Sequence, residues 1–151
     1  MEALLFVYFN PISFFLFGAC WGSFMNVVLY RYPLGKSVVK PASACPYCGT
    51  PIKLYDNIPV LSWFILGGKC RACKAPFSIR YALNEFLYGS IWAVCAFLWA
   101  SDAIAMSSAA VAFTCLIPAG QLLIKHSKAP PYLLAVGLVG VGVHLGKLLL
   151  V

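Results

Sequence analysis

Residues 6–29 read FVYFNPISFFLFGACWGSFMNVVL, an unbroken stretch without one charged side chain. A helix needs roughly 20 predominantly apolar residues to cross the hydrocarbon core of a bilayer, so this stretch sets the fold class as membrane-spanning. Three further segments have the same character: about Ala82 to Ala100, about Ala103 to Ile124 and about Tyr132 to Val151. The whole chain of 151 residues is 62% apolar and 10% charged, whereas soluble domains are about 25% charged. So few charges cannot cover the surface of a soluble domain, and the apolar content excludes a disordered chain. A small disulfide scaffold is disfavoured too, since the long apolar runs carry no staple.

The net charge of +7 is unevenly placed. Between residues 31 and 81 lie Arg31, Lys36, Lys40, Lys53, Lys69, Arg71, Lys74 and Arg80, opposed only by Asp56. That segment holds the entire excess, and the remainder sums to zero. Positive loops stay on the cytoplasmic side, which predicts a cytoplasmic 31–81 loop, an N-terminus with Glu2 outside and an outer turn at Ser101–Asp102. Lys125 and Lys128, with the loop residue His126 between them, flank a short inner connection that agrees with the same orientation. A cleaved signal peptide is a competing reading of the first segment, but a basic leading region and a small-residue cleavage site are both lacking. A basic loop can also suggest nucleic acid. Charge retention on the inner face and contact with anionic headgroups account for it, so the expected partner is the lipid bilayer and no nucleic acid. The expectation is an all-α polytopic membrane protein of about four transmembrane helices. Residues 1–30 form the first helix, 31–81 a cytoplasmic, zinc-ribbon-like four-cysteine loop, and 82–151 three further helices.

Within the loop, Cys45-Pro-Tyr-Cys48 is followed by Cys70-Arg-Ala-Cys73. Each Cys-x-x-Cys pair makes a tight knuckle, and two knuckles supply the four thiolates of a tetrahedral zinc site. Gly49 and the Gly67-Gly68 pair provide the permissive backbone such turns need. Two disulfides and an iron–sulfur cluster are alternatives. A reducing cytoplasm disfavours the first, and the paired ribbon spacing fits zinc better than the second. Four protein ligands leave no open coordination position, so the metal is expected to be structural, with Lys69, Arg71 and Lys74 offsetting the thiolate charge. The loop is poor in apolar residues and is expected to need metal to fold. Cys20, Cys95 and Cys115 fall inside the spans and read as small packing residues.

The surrounding residues form an ordered set: Gly18-Ala-Cys-Trp-Gly22-Ser-Phe-Met-Asn26, Arg31-Tyr-Pro33, the first knuckle, Asp56-Asn57-Ile58-Pro59-Val-Leu-Ser62-Trp63, the second knuckle, Ile79-Arg80-Tyr81 and Glu85. Over roughly residues 11–90 this set resembles the N-terminal part of the type IV prepilin peptidases, bifunctional leader peptidases and N-methyltransferases. The resemblance implies a bacterial inner-membrane protein, a cytoplasmic zinc-type loop, pilin-like precursors as partners and S-adenosylmethionine as methyl donor. It implies that the matched region serves methyl transfer. The candidate donor- or substrate-binding residues are Gly22, Ser23, Asn26, Arg31, Asn57, Arg80 and Glu85, with interhelical hydrogen bonding an equal reading of Ser23 and Asn26.

The resemblance also assigns cleavage to two later aspartates, and there the chain departs from the pattern. It has only Asp56 and Asp102. Leu123-Ile-Lys125-His126-Ser-Lys128-Ala-Pro130-Pro131 stands near the first expected acid, and Gly140-Val-Gly142-Val143 puts valine in place of the second. A carboxylate pair sharing one water is what aspartyl cleavage requires, so proteolytic inactivity is expected and no catalytic residue is assigned.

Other residues carry weaker signals. Glu85 at the inner end of the second span is either a functional carboxylate or an ion-pair partner of Arg80 or Arg31. Gly18/Gly22 and Gly142/Gly146 are small-xxx-small pairs suited to close helix packing. His144 and Lys147 are expected to reach the outer interface or a partner, Lys147 by snorkelling. Trp63, Trp92 and Trp99, with Tyr30, Tyr32 and Tyr132, read as interfacial belt residues. Pro118 is expected to kink the third span. No phosphate loop, Ser-His-Asp set or Rossmann fingerprint is present. Two functions remain open: residual S-adenosylmethionine-dependent methyl transfer to pilin-like proteins, or a non-catalytic subunit packed against other membrane proteins in a larger complex. The sequence ends in an apolar run, so a fragment of a longer enzyme is a third expectation.

Overall fold

The computed structural model describes residues 10–99, 102–124 and 131–149. Helix α1 spans Pro11–Arg31. The Asn10 side chain caps it by accepting from the Ile12 N–H at 2.9 Å, and Pro11 follows where a missing N–H costs nothing. It ends at a 3-10 turn, Tyr32–Leu34, because Pro33 can neither donate nor fit in a continuing helix. Gly35 closes that turn at φ +62°. The loop beyond contains a second 3-10 turn at Leu54–Asp56 and the short helix α2, Leu61–Ile65. Helices α3 (Arg80–Leu98), α4 (Ala103–Ile124) and α5 (Pro131–Leu149) complete the fold. Among the described residues there is no strand, only two isolated bridges inside the loop.

Three helical segments are long and apolar enough to cross a membrane: Pro11–Leu34, Arg80–Leu98 and Ala103–Ile124. The fourth expected span appears as the apolar helix α5, shorter by the same measure, at Pro131–Lys147. The expected positions of Glu2, Ser101, Lys125, His126 and Lys128 lie outside the described residues.

The helices pair as α1 with α3 and α4 with α5, and small residues set both contacts. A Cβ at Gly18 would stand 2.6 Å from the Tyr88 carbonyl oxygen, and one at Gly22 2.9 Å from Glu85 Cα. The expected close packing at Gly18 and Gly22 is therefore present. On α5 the packing glycines are instead Gly137, against Leu116, and Gly140, against Ser108 and Ala112. Gly142 and Gly146 have nothing within 4 Å of a Cβ position, because they fall on the opposite side of the helix. Met25, Val28, Tyr88, Cys115, Ala119 and Leu133 form a core drawn from all four long helices. A second core at the far end joins α3 to α4 through Trp92, Cys95, Ala96, Met106, Ala109 and Ala110.

Several expectations change here. Cys95 and Cys115 are buried, but Cys20 is exposed on the free side of α1. Trp92 is a packing residue rather than a belt residue, stacked on Phe14 and edge-on to Phe17 at 4.8 Å. Trp99 does lie at a helix end, edge-on to His144. Lys147 reaches Asp102 at 2.8 Å instead of extending outward, while Asp102 also caps α4 by accepting from the N–H groups of Ile104 and Ala105. The Lys147 ammonium, with the helix-end donor pair behind it, holds the Asp102 carboxyl below its usual range. His144 Nδ1 lies 3.1 Å from the Ala105 carbonyl oxygen. Pro118 sits buried within α4, which runs through it.

Overpacking at a full helix contact costs about 1–3 kcal/mol. Gly18→Ala is therefore expected to lower the thermal stability of the detergent-solubilised protein, while Gly142→Ala leaves it unchanged. Equal melting temperatures for the two variants would contradict the α1–α3 contact.

Candidate functional site

The two knuckles are built alike. In the first, the Cys45 N–H donates to the Thr50 carbonyl at 3.0 Å, the Gly49 N–H to the Cys45 carbonyl at 2.9 Å, and Ala44 bridges Pro51. In the second, the Cys70 N–H donates to Ala75 at 2.8 Å, the Lys74 N–H to Cys70 at 3.0 Å, and Lys69 bridges Pro76. Gly49 at φ +70° and Lys74 at φ +61° occupy equivalent left-handed positions, so the second knuckle places a lysine where the first has glycine.

These turns bring the Sγ atoms of Cys45, Cys48, Cys70 and Cys73 within 4.8 Å of one another. Cys45 and Cys73 are 3.8 Å apart, and Cys48 and Cys70 are 4.0 Å apart. Zinc–sulfur bonds of about 2.3 Å in a tetrahedron give sulfur–sulfur edges of about 3.8 Å, whereas a disulfide needs about 2.05 Å. The four free thiols thus form a cluster that can hold a metal ion, consistent with zinc. Thr50 beside Cys48 Sγ, through its hydroxyl at 3.2 Å and its backbone, pulls that thiol down to about 6. The Cys73 thiol is pushed up to about 11, because its backbone contact with Ala75 is outweighed by burial and by the neighbouring sulfurs.

Arg71, expected to offset the thiolates, faces Asp56 instead. Its Nε stands 2.8 Å from Oδ2 and its Nη2 2.6 Å from Oδ1, the bidentate fork that suits guanidinium and carboxylate. The pair depresses the Asp56 carboxyl and raises Arg71. The Tyr55 ring lies 5.6 Å from both Arg71 and Lys53.

Between this loop and the adjoining ends of α1 and α3 is a cavity of about 440 Å³, within the range that holds a small organic ligand. Ser23, Asn26, Arg31, Asn57 and Glu85 line it together with Asp56, Tyr30, Trp63 and Tyr81. Gly22 is buried behind it, in the α1–α3 contact, and Arg80 opens α3 without joining the lining. Asn26 Nδ2 donates to the Tyr81 carbonyl at 3.1 Å, and Asn84 Nδ2 donates to Asn26 Oδ1 at 2.9 Å, so Asn26 is tied to α3 from both ends of its amide. Arg31 donates to the carbonyls of Ser37, Pro41 and Ala42, the last at 3.4 Å, and so binds the following strap to the end of α1.

Glu85 forms no ion pair with Arg80 or Arg31, and the Arg31 guanidinium is taken up by the carbonyls of Ser37, Pro41 and Ala42. Its Oε2 accepts from the Val60 N–H at 2.7 Å. Val60 lies at φ +65°, ψ −56°, and the Leu61 N–H donates back to the Pro59 carbonyl at 2.7 Å. This is a classic γ-turn, rare and strained, here on a β-branched residue. Ser62 Oγ steadies the turn by accepting from the Ile58 N–H at 2.8 Å. Trp63, read as a belt residue, is an internal post of the loop: it donates from Nε1 to the Phe77 carbonyl and packs over Gly68. Val60, Asn84 and the Asp56–Arg71 fork were not singled out from sequence; the Asp-Asn-Ile-Pro block was their one visible signal.

A polytopic helical protein with a four-cysteine loop covering a carboxylate-bearing cavity is the class that these features define. The family model for the bacterial peptidase A24 N-terminal domain matches residues 16–99, more than half of the chain. The chain is 40% identical over 124 residues to a prepilin leader peptidase/N-methyltransferase of Myxococcus xanthus, covering 79% of this chain and 36% of that protein. It is 42% identical over 92 residues to one from Klebsiella pneumoniae, with 57% and 40% coverage. A type 4 prepilin-like proteins leader peptide-processing enzyme of Escherichia coli is 35% identical over 115 residues, with 64% and 43% coverage. The chain therefore belongs to the prepilin peptidase family and matches its N-terminal region, spanning well under half the length of these relatives. It is a bacterial membrane protein. No solved structure matches it significantly.

In the metal-free protein, Cys48 is expected to alkylate at lower pH than Cys73, with half-maximal rate near 6. Thr50→Val removes the hydroxyl and moves that midpoint upward, as followed by mass spectrometry of alkylated peptides across pH. An unchanged midpoint would remove Thr50 as the cause.

Proposed function

We propose that this chain binds a methyl donor and a pilin-like N-terminus at the loop end of α1 and α3 and transfers the methyl group, without cleaving the precursor. The observation that carries this reading is the cavity in which residues of the matched family region, Ser23, Asn26 and Asn57, converge beside the Glu85 carboxylate. The inner bacterial membrane, with the basic loop in the cytoplasm, is the location we infer from the placement of the +7 charge.

S-adenosylmethionine, when bound, supplies an electrophilic methyl group on a cationic sulfonium. The lining suits such a ligand: a carboxylate for the cation and the rings of Tyr30, Trp63 and Tyr81 for an aromatic base. An attacking amine must be neutral, so Glu85 is placed to accept its proton and orient it. Zinc is proposed at the cysteines in a structural role, since four thiolates leave no position for substrate. Neither aspartate within these 151 residues is free for cleavage chemistry. Asp56 is held by Arg71, and Asp102 caps α4 at the opposite end of the helices.

One observation favours the alternative, a structural subunit of a larger membrane complex: Gly142 and Gly146 present an unpacked small-residue face on α5. The discriminating experiment supplies labelled S-adenosylmethionine and a pre-cleaved pilin peptide to the zinc-loaded protein in lipid nanodiscs. Transfer is expected, and Glu85→Gln is expected to reduce it about 10²-fold or more while retaining one zinc per chain. If an active relative methylates the peptide and this protein does not, the enzymatic reading is lost and the subunit reading takes its place.

A further inference from the structure

We propose that the metal-binding loop positions the Glu85 carboxylate mechanically, through the Arg71–Asp56 fork and the γ-turn at Val60, so that loading the cysteines with metal sets the geometry of the cavity. This rests on the preceding reading only in the use made of Glu85; the coupling itself is a property of the fold.

The connection runs through consecutive short contacts. Arg71 is the residue that follows Cys70 inside the second knuckle, so its backbone moves with the sulfur cluster. Its side chain grips Asp56 with two nearly parallel hydrogen bonds, which fix orientation as well as distance. Asp56 ends the 3-10 turn Leu54–Asp56, whose own bonds are the Asp56 N–H to Lys53 at 2.9 Å and the Asn57 N–H to Leu54 at 3.1 Å. Four residues later the chain reaches Val60. Between the two, Ser62 Oγ fixes Ile58 and also lies 3.5 Å from the Tyr55 carbonyl oxygen, closing this segment on itself. The Val60 N–H then reaches Glu85, on the membrane helix α3.

The backbone at Val60 shows that something outside the turn holds it. A β-branched residue at positive φ is strained and persists only where surrounding contacts over-determine it. Three contacts do so here: the carboxylate on the Val60 N–H, Ser62 Oγ on the Ile58 N–H, and the Asp56–Arg71 fork at the start of the segment. If the knuckles lose metal, the four sulfurs, grouped within 4.8 Å of one another, are no longer held to one centre. The fork then loses its fixed base and the γ-turn relaxes toward an ordinary φ. The Val60 N–H turns away, and Glu85 keeps only its side-chain neighbours Ser23 and Asn26 on the helices. Val60, Asp56 and Arg71 are positioning residues: they act through Glu85 and none is assigned a chemical step.

The test is amide hydrogen exchange on the full chain in nanodiscs, resolved to the peptides covering residues 56–62, beside a zinc-to-protein ratio for each sample. In the zinc-loaded protein this segment should be protected. Removing zinc with a chelator should speed its exchange roughly tenfold or more, as expected on losing a hydrogen bond to a charged group, while amides in the middle of α1 and α3 stay protected. Asp56→Asn should produce the same local acceleration with zinc still bound at one per chain. Arg71→Lys, which keeps the charge but not the fork, serves as the second variant if Asp56→Asn loses metal. Protection of residues 56–62 that survives chelation, or survives loss of the fork with zinc retained, overturns the proposal. Methyl transfer does not enter these readouts, so absent activity with intact coupling would count against the proposed function alone.

Discussion

The glycine contact between α1 and α3 is the constraint on which the rest of the site depends. Gly18 and Gly22 on one helix and Gly89 on the other let the backbones approach so closely that an added Cβ would meet main-chain atoms. In a bilayer there is no hydrophobic gain in bringing two apolar helices together, because lipid is as apolar as leucine; close packing and interhelical hydrogen bonds must do it. Here both operate at one place. Asn26 and Asn84, separated by 58 positions, bond across the seam one helical turn from Gly22. That seam sets Glu85 beside Ser23 and Asn26, and it gives the loop two fixed anchor points from which to arch.

The loop faces a different problem. It has few apolar side chains to bury, and many of its large ones are exposed, Leu54 at 91% and Val39 at 76% among them. Such a segment cannot offset its conformational entropy by burial alone. Its order comes from discrete links: the sulfur cluster, the Asp56–Arg71 fork, the Arg31 bonds to three carbonyls and the Trp63 indole over Gly68. Links of this kind are individually strong in geometry and weak in redundancy. Loss of one therefore propagates farther than loss of a comparable contact in the helical core.

What could be read from sequence follows from the same division. The helices were legible because the bilayer demands about 20 apolar residues whatever their identity, and the knuckles because Cys-x-x-Cys spacing is itself geometry. Gly18 and Gly22 were legible as a pair, yet the identical spacing at Gly142 and Gly146 was not a contact, since spacing says which face a residue shares and not what that face meets. Trp92 was misjudged for a related reason: a tryptophan in a span signals an interface only when no neighbouring helix covers it, and here Phe14 and Phe17 do. Glu85 was recognised as a carboxylate out of place, but its partner is a backbone N–H, which every residue other than proline carries and no composition reveals. The left-handed turn that aims this N–H lies on valine, the kind of residue least expected there.

The three carboxylates in the described residues divide by what surrounds them, and that division bears on chemistry. Asp56 faces the Arg71 guanidinium, and Asp102 faces Lys147 and two helix-end N–H groups, which hold both ionised and committed. Glu85 faces only neutral donors, the Val60 N–H and the neighbouring Ser23 and Asn26 side chains, and it borders the cavity. A carboxylate paired with a guanidinium has little left to offer a ligand, because its charge is already answered at short range. One held by neutral donors alone is fixed in position while no cation answers its charge, the condition under which a carboxylate attracts a cationic ligand. The fold therefore spends its arginine on the loop's own architecture and leaves the membrane-end carboxylate as the polar group with which an incoming amine or sulfonium would have to reckon.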